Sequence, residues 1–208
     1  MTTKLIFIRH GITDWNHQKR YQGHTDIPLN EKGREQAQQT AHRLEKFTFD
    51  LMYSSDLSRA YETATIVRGS RELEIIKEPG LRETNYGVWE GLTMVEIKAQ
   101  YPELLEKSTT DPINTVYTHG ESRGMMLLRV TKTVHDIYHR HPGKTIVITS
   151  HEGAIAAAVC SLLDLDFLEN RAEYRLYNTA YHILDLQPEG TWKVVHKGQS
   201  SIQASDLT

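Results

Sequence analysis

Arg9-His10-Gly11 and, far downstream, His151 are the groups in this 208-residue chain whose types and setting could do chemistry. Arg9 supplies a permanent planar cation with forked donors. His10 supplies an imidazole that is substantially neutral at pH 7 and can serve as nucleophile or base, and Gly11 a backbone free to turn sharply. Such a tripeptide suits the handling of an oxyanion. The segment Ser150-His151-Glu152-Gly153 repeats the pattern of a histidine followed closely by glycine.

Each histidine follows a short apolar run, Leu5-Ile6-Phe7-Ile8 in one case and Thr145-Ile146-Val147-Ile148-Thr149 in the other. Runs this short cannot cross a membrane and suit central strands buried on both faces. Ligands of open α/β sheets bind beyond the carboxyl ends of the strands. Two histidines on two such ends could therefore face one another across one pocket.

The length suits one α/β domain over residues 1–208, and 38% hydrophobic content is ordinary for a soluble protein. A formal net charge of −3 argues against general nucleic-acid binding, so a cationic site must be local and its partner small. Met1-Thr2-Thr3-Lys4 runs straight into the first strand, with no segment suited to export or membrane insertion, so a cytoplasmic protein is expected. The one cysteine, Cys160, lies among small apolar residues and is expected to be buried and inert.

Between the two strands the pattern alternates. After Ile12-Thr13-Asp14-Trp15-Asn16 comes a polar loop through Gln22, Gly23 and His24 to Leu29, then a helix capped by Asn30 and running to Phe47. Leu51-Met52-Tyr53 reads as a strand, Ser54-Ser55-Asp56 as cap candidates for a helix with Arg59 in its first turn, and Leu73 to Ile76 as a third strand. An arginine in a first turn opposes the helix dipole, which either a surface salt bridge or a bound anion would offset. The stretch from Leu81 to Gly91 reads as a tight loop in which Glu83 or Glu90 could be an acid.

Helices are expected over Met94–Tyr101, Glu121–His139 and Gly153–Leu163, with an irregular crossing from Asp111 to Thr118. Tyr181 to Leu186 and Trp192 to Val195 suit a closing hairpin around Pro188-Glu189-Gly190, and the polar tail 199–208 is expected to fray. His135 and His139 have the i, i+4 spacing of zinc ligands, although a helix C-terminus favours cationic groups without any metal.

Taken together, Arg9-His10-Gly11, Ser54-Ser55-Asp56-Leu57-Ser58-Arg59-Ala60, Leu81-Arg82-Glu83, Trp89-Glu90-Gly91, Gly120-Glu121-Ser122 and Ser150-His151 resemble the histidine phosphatase superfamily, in the branch related to cofactor-dependent phosphoglycerate mutase. The resemblance spans nearly the whole chain. It implies a three-layer α/β/α sandwich with a mostly parallel central sheet and an antiparallel edge. It also implies that His10 is the nucleophile, forming a phosphohistidine, that Arg9, Arg59 and His151 hold the transferring phosphoryl group, and that Glu83 is the general acid and base. Thr13, Asn16, Gln22, Gly23 and Tyr86 match positions that contact phosphate or substrate in relatives.

Fixed cations around the equatorial oxygens would stabilise a loose phosphoryl-transfer transition state, the task a metal ion performs elsewhere, so neither metal nor cofactor is expected. Glu83 would need a pKa raised toward neutrality. Relatives often carry glutamate where Ile12 stands and glycine where Glu152 stands. Ile12 could alter packing at the pocket mouth, and Glu152 could keep His151 protonated or point to solvent.

Dedicated mutases of the family usually carry a longer insertion between the acid-bearing loop and the Gly120-Glu121-Ser122 region. The short connection here favours a phosphatase acting on a small phosphorylated metabolite. A phosphoglycerate mutase is the alternative, a catalytically silent phosphate-binding module a third reading, and the oligomeric state is left between monomer and homodimer.

Overall fold

A computed structural model describes residues 2–198, so the 199–208 tail lies outside the described residues. The chain runs β1 (Lys4–Arg9), α1 (Asp14–His17), α2 (Glu31–Arg43), β2 (Leu51–Ser54), α3 (Ser58–Arg68), β3 (Ile75–Lys77), α4 (Met94–Gln100) and α5 (Pro102–Thr110). It continues with α6 (Arg123–Arg140), β4 (Thr145–Ser150), α7 (Glu152–Leu162), α8 (Phe167–Asn170), β5 (Tyr181–Leu186) and β6 (Trp192–His196). Single 3₁₀ turns cover Pro79–Leu81 and Gly87–Trp89.

The six strands form one sheet in the order β3-β2-β4-β1-β5-β6. β1, β2, β3 and β4 are parallel, β5 runs antiparallel to β1, and β6 antiparallel to β5. The expected antiparallel edge is therefore the closing hairpin.

Alternation along β1 shows why its apolar run is unbroken. Leu5 and Phe7 join one core with Val130 and Val134 of α6 and the alanines of α7, while Ile6 and Ile8 join another with Leu44, Ala64 and Val67 beside α2 and α3. With layers on both faces, every side chain of the strand loses its water, at about 1.5–3 kcal/mol for each large apolar one. The alanines of α7 leave that helix close to the sheet, so the N-terminus that follows β4 is set by core packing.

Several boundaries differ from the sequence expectation. α2 stops at Arg43, with Leu44 and Phe47 turned into the core beyond its end. α3 takes no cap from Ser54, Ser55 or Asp56; its N-cap is Leu57, and the first turn is bonded instead by Asp26, whose carboxylate accepts from Ser58 N at 2.7 Å. β3 begins at Ile75, not Leu73. α6 begins at Arg123, one residue after its cap Ser122, and α7 at Glu152. Three helices were not anticipated: the four-residue α1, capped by Thr13, α5, opened by Pro102 at its first position, and the four-residue α8, capped by Asp166.

Candidate active site

The parallel register sets the site. β1 and β4 align Arg9 with Ser150, and β2 and β4 align Ser54 with Thr149, so His10, Ser55 and His151 emerge together at the carboxyl ends of three neighbouring strands. The ladder extends one step past β1, with His10 N donating to Ser150 O at 3.0 Å. The two imidazoles lie edge to face, 5.1 Å between centroids.

His10 Nδ1–H donates to Gly11 O at 2.7 Å, which places the proton on Nδ1 and the lone pair on Nε2. Burial, then the charges of Arg59 and Arg9, hold its pKa well below the ordinary value, so the ring is neutral at pH 7. Gly11 serves a close approach and not the sharp turn expected of it: a Cβ there would lie 2.5 Å from Gly33 O.

His151 is the N-cap residue of α7, with Nε2 hydrogen-bonded to Ser55 Oγ at 2.9 Å. Its pKa is also held well below normal, by burial and then Arg59. Arg59 donates Nη1 to Thr25 O and Nη2 to Gly23 O, at 2.9 and 2.7 Å, and burial brings its pKa down to about 10. Arg9 donates Nη1 to Leu176 O at 2.6 Å and pairs with Glu152 at 2.7 Å. Arg9 Nε, Arg59 Nε and His151 Nδ1 are buried without a partner, and all three residues line one cavity. Unpaired buried donors are costly, and a bound oxyanion is the acceptor such a set fits.

Glu83 reaches the cavity from the loop after β3. Its carboxylate accepts from Thr84 N and Gly153 N, both at 2.9 Å, and desolvation raises its pKa against the pull of those bonds. Glu90, the other candidate acid, is a loop organiser. It accepts from the backbone N–H groups of His24 and Thr25 at 2.8 Å and of Tyr86 at 3.1 Å, and does not line the cavity.

Asn16, Gln22, Gly23 and Tyr86 line the same cavity of about 400 Å³. Thr13 stands behind them, fully buried, capping α1 and hydrogen-bonded to Asn16 and to Gln22 Oε1 at 3.0 Å. Tyr86 packs edge-on against Tyr21 and Tyr117, and burial pushes its phenol well above the ordinary range.

Glu152 takes neither role expected of it. It bridges Arg9 and Arg175, with Oε1 accepting from Arg175 Nε at 2.5 Å. Ile12 is absent from the cavity lining; its backbone bonds Gln36 and Asn30 at the start of α2. Sequence reasoning missed Ser55 as the partner of His151, Asn178, whose amide donates to His10 O at 2.9 Å, and the cavity-lining Lys19, Arg123, Arg171 and Arg175. An isolated serine or asparagine gives no signal before its strand is placed.

Outside the site, His139 donates Nδ1–H to His135 O at 2.8 Å, and no group of three metal-ligating residues occurs among the described residues. Cys160 is buried, with its thiol pushed up to about 11.

Comparison with known proteins agrees with this geometry. Phosphoserine phosphatase 1 of Hydrogenobacter thermophilus is 33% identical over 184 residues, covering 88% of this chain and 87% of that protein. Glucosyl-3-phosphoglycerate phosphatase of Mycobacterium tuberculosis is 36% identical over 174 residues, covering 78% and 76%. The crystal structure of α-ribazole phosphatase from Shigella flexneri superposes with a TM-score of 0.88 at 27% identity, over 97% of this chain and 98% of that one. Residues 5–199 match the model of branch 1 of the histidine phosphatase superfamily, the family to which this chain belongs.

Proposed function

We propose that the protein is a phosphatase that hydrolyses small phosphomonoesters through a phosphohistidine on His10. The observation that carries this reading is the tautomer lock: with Nδ1–H held by Gly11 O, the Nε2 lone pair of a neutral ring is left to attack phosphorus among Arg9, Arg59 and His151. As the N–P bond forms, the bond from phosphorus to the ester oxygen breaks, and Glu83 gives its proton to the departing alkoxide. Water then attacks phosphorus, Glu83 takes its proton, and the N–P bond breaks to release inorganic phosphate. The guanidinium groups stay fixed throughout, so charge on the equatorial oxygens meets donors already in place.

The names of the two relatives support transfer to water over transfer to a sugar acid, as does the short connection between the Glu83 loop and Ser122. Among the described residues no helix is long and apolar enough to cross a membrane.

Rapid acid-free quenching during turnover tests the reading. An acid-labile, base-stable phosphoryl group is expected on the peptide holding His10 and is abolished in His10→Ala, whereas His151→Ala slows labelling without abolishing it. Label on the His151 peptide, or full activity of His10→Ala, overturns the assignment.

A further inference from the structure

We infer that Arg129 is the positioning residue of the general acid: from outside the cavity it holds the backbone of the Glu83 loop, and hydrolysis of esters with poor leaving groups depends on that hold. The inference rests on the acid role proposed for Glu83 and adds the group that fixes where its carboxyl stands.

The segment carrying Glu83 has little secondary structure of its own. Each of the four backbone N–H groups from Thr84 to Gly87 donates to a side chain, those of Glu83 itself, Glu121, Glu90 and Asn85 in turn. The carbonyls just upstream are held in the same way. Arg129 Nη1 donates to Gly80 O and Arg82 O, both at 3.0 Å, and Nη2 to Glu83 O at 3.1 Å, while Leu81 O accepts from Ser150 Oγ at 2.6 Å. Side chains here replace the ladder that a strand would supply.

Every N–H of Arg129 is used. The two that do not reach carbonyls go to Glu121, from Nη2 to Oε1 at 2.5 Å and from Nε to Oε2 at 3.4 Å, and the same Oε1 accepts from Asn85 N at 2.9 Å. Exposed ion pairs leave their donors largely to water and contribute little. This pair is only 25% and 13% exposed and grips residues 80 to 85 from both ends. Because Glu121 neutralises Arg129, the clamp brings no net charge to Glu83.

Arg129 lies 46 residues from Glu83 in the chain, between Met126 and Val130, which are buried in the core beneath α6, so helix packing sets the point from which its side chain reaches. Neither Arg129 nor Glu121 lines the cavity, and what they contribute to the reaction passes through Glu83. A fork of five donors is what the arrangement needs. A lysine ammonium offers three donors from a single nitrogen and cannot span three carbonyls and a carboxylate.

Arg129→Lys and Arg129→Gln, each made alone and together with Glu83→Gln, test the inference by steady-state hydrolysis of an alkyl and an aryl phosphate. Alone, each should lower kcat on the alkyl ester by about tenfold to a hundredfold and on the aryl ester by about threefold at most, with KM and inhibition by inorganic phosphate unchanged. In the Glu83→Gln background the same substitutions should lower the alkyl rate by less than about twofold further, because the group they position no longer transfers a proton.

Unchanged rates in Arg129→Lys, equal losses on both esters, or a loss that persists in full beside Glu83→Gln would overturn the inference and leave Arg129 a purely structural residue. Arg129→Lys keeps the charge opposite Glu121, so it carries the test by itself if Arg129→Gln does not fold. Equal loss on both esters in Glu83→Gln alone would instead remove the acid role, and the positioning role with it.

Discussion

Glu83 and Gly153 fit one another: the carboxylate accepts the Gly153 N–H at 2.9 Å, and a Cβ at residue 153 would stand 2.5 Å from Glu83 Oε1. The second residue of α7 therefore has to be glycine for the proposed acid to hold its place over the cavity. Gly153→Ala should leave thermal stability unchanged or raise it, because alanine favours the helix by about 1 kcal/mol. Activity should fall by about a hundredfold, since a displacement near 1 Å is enough for such a loss. Parallel melting curves and steady-state rates check this; full activity would show that Glu83 tolerates displacement.

Glu83→Gln keeps the shape and cannot give or take a proton. Hydrolysis of an alkyl phosphate should fall by about a hundredfold to ten-thousandfold, and of an aryl phosphate by much less, because a good leaving group needs little protonation. The pH profile separates the groups further. In the proposed mechanism Glu83 acts first as an acid and His10 attacks as a neutral ring, so activity should be lost as pH rises through the raised pKa of Glu83 and as pH falls through the depressed one of His10. The alkaline limb should vanish in Glu83→Gln while the acid limb remains. Equal loss on both substrates would assign Glu83 a purely structural role.

How much of this was legible from the sequence depended on distance along the chain. β1 and β4 announce themselves because four or five apolar residues in a row suit a doubly covered strand, and the residues just past them fall at the sheet's carboxyl end. Arg59 and Glu83 carry weaker local signals, a cation in a helix's first turn and one of two carboxylates in a tight loop, and only the family motifs choose between the alternatives. The cap of α3 was misread because Asp26, 32 residues before Ser58, reaches it through space. α8 has four residues, too few for helical periodicity to show. Glu152 stands out in the sequence as a departure from the family pattern, but its partner Arg175 lies 23 residues later, past α7 and α8, and only packing brings the two together.

Glu152 offers a carboxylate to the same Arg9 that faces the proposed phosphoryl position, and its charge also contributes to raising the Glu83 pKa. Glu152→Gln keeps the length and removes the charge. Inorganic phosphate should then inhibit more tightly, by about threefold to tenfold, as a charge-assisted competitor for Arg9 is lost. The alkaline limb of the pH profile should move to lower pH, because the Glu83 carboxylate is then less disfavoured. Phosphate inhibition constants and the limb position, measured in one buffer series, check both; a limb that stays in place would show that burial alone sets Glu83.

His182, on β5, is fully buried, hydrogen-bonded to Tyr174 O at 3.1 Å and to Gly198 N at 3.3 Å, and burial depresses its pKa to about 4. In the unfolded chain the same ring titrates near 6.5. Between those values the unfolded state binds a proton that the folded state does not, so the contribution to stability is complete above about pH 6.5 and is lost as pH falls toward 4. The gap corresponds to about 3 kcal/mol. His182→Gln keeps an amide donor for Tyr174 O and removes the titration, so its urea-unfolding free energy should fall less steeply than that of the wild type over this range, by up to that amount. The two proteins should differ most in slope between pH 6.5 and 4 and run parallel above about pH 7; parallel curves throughout would place the acid sensitivity of the fold in other groups.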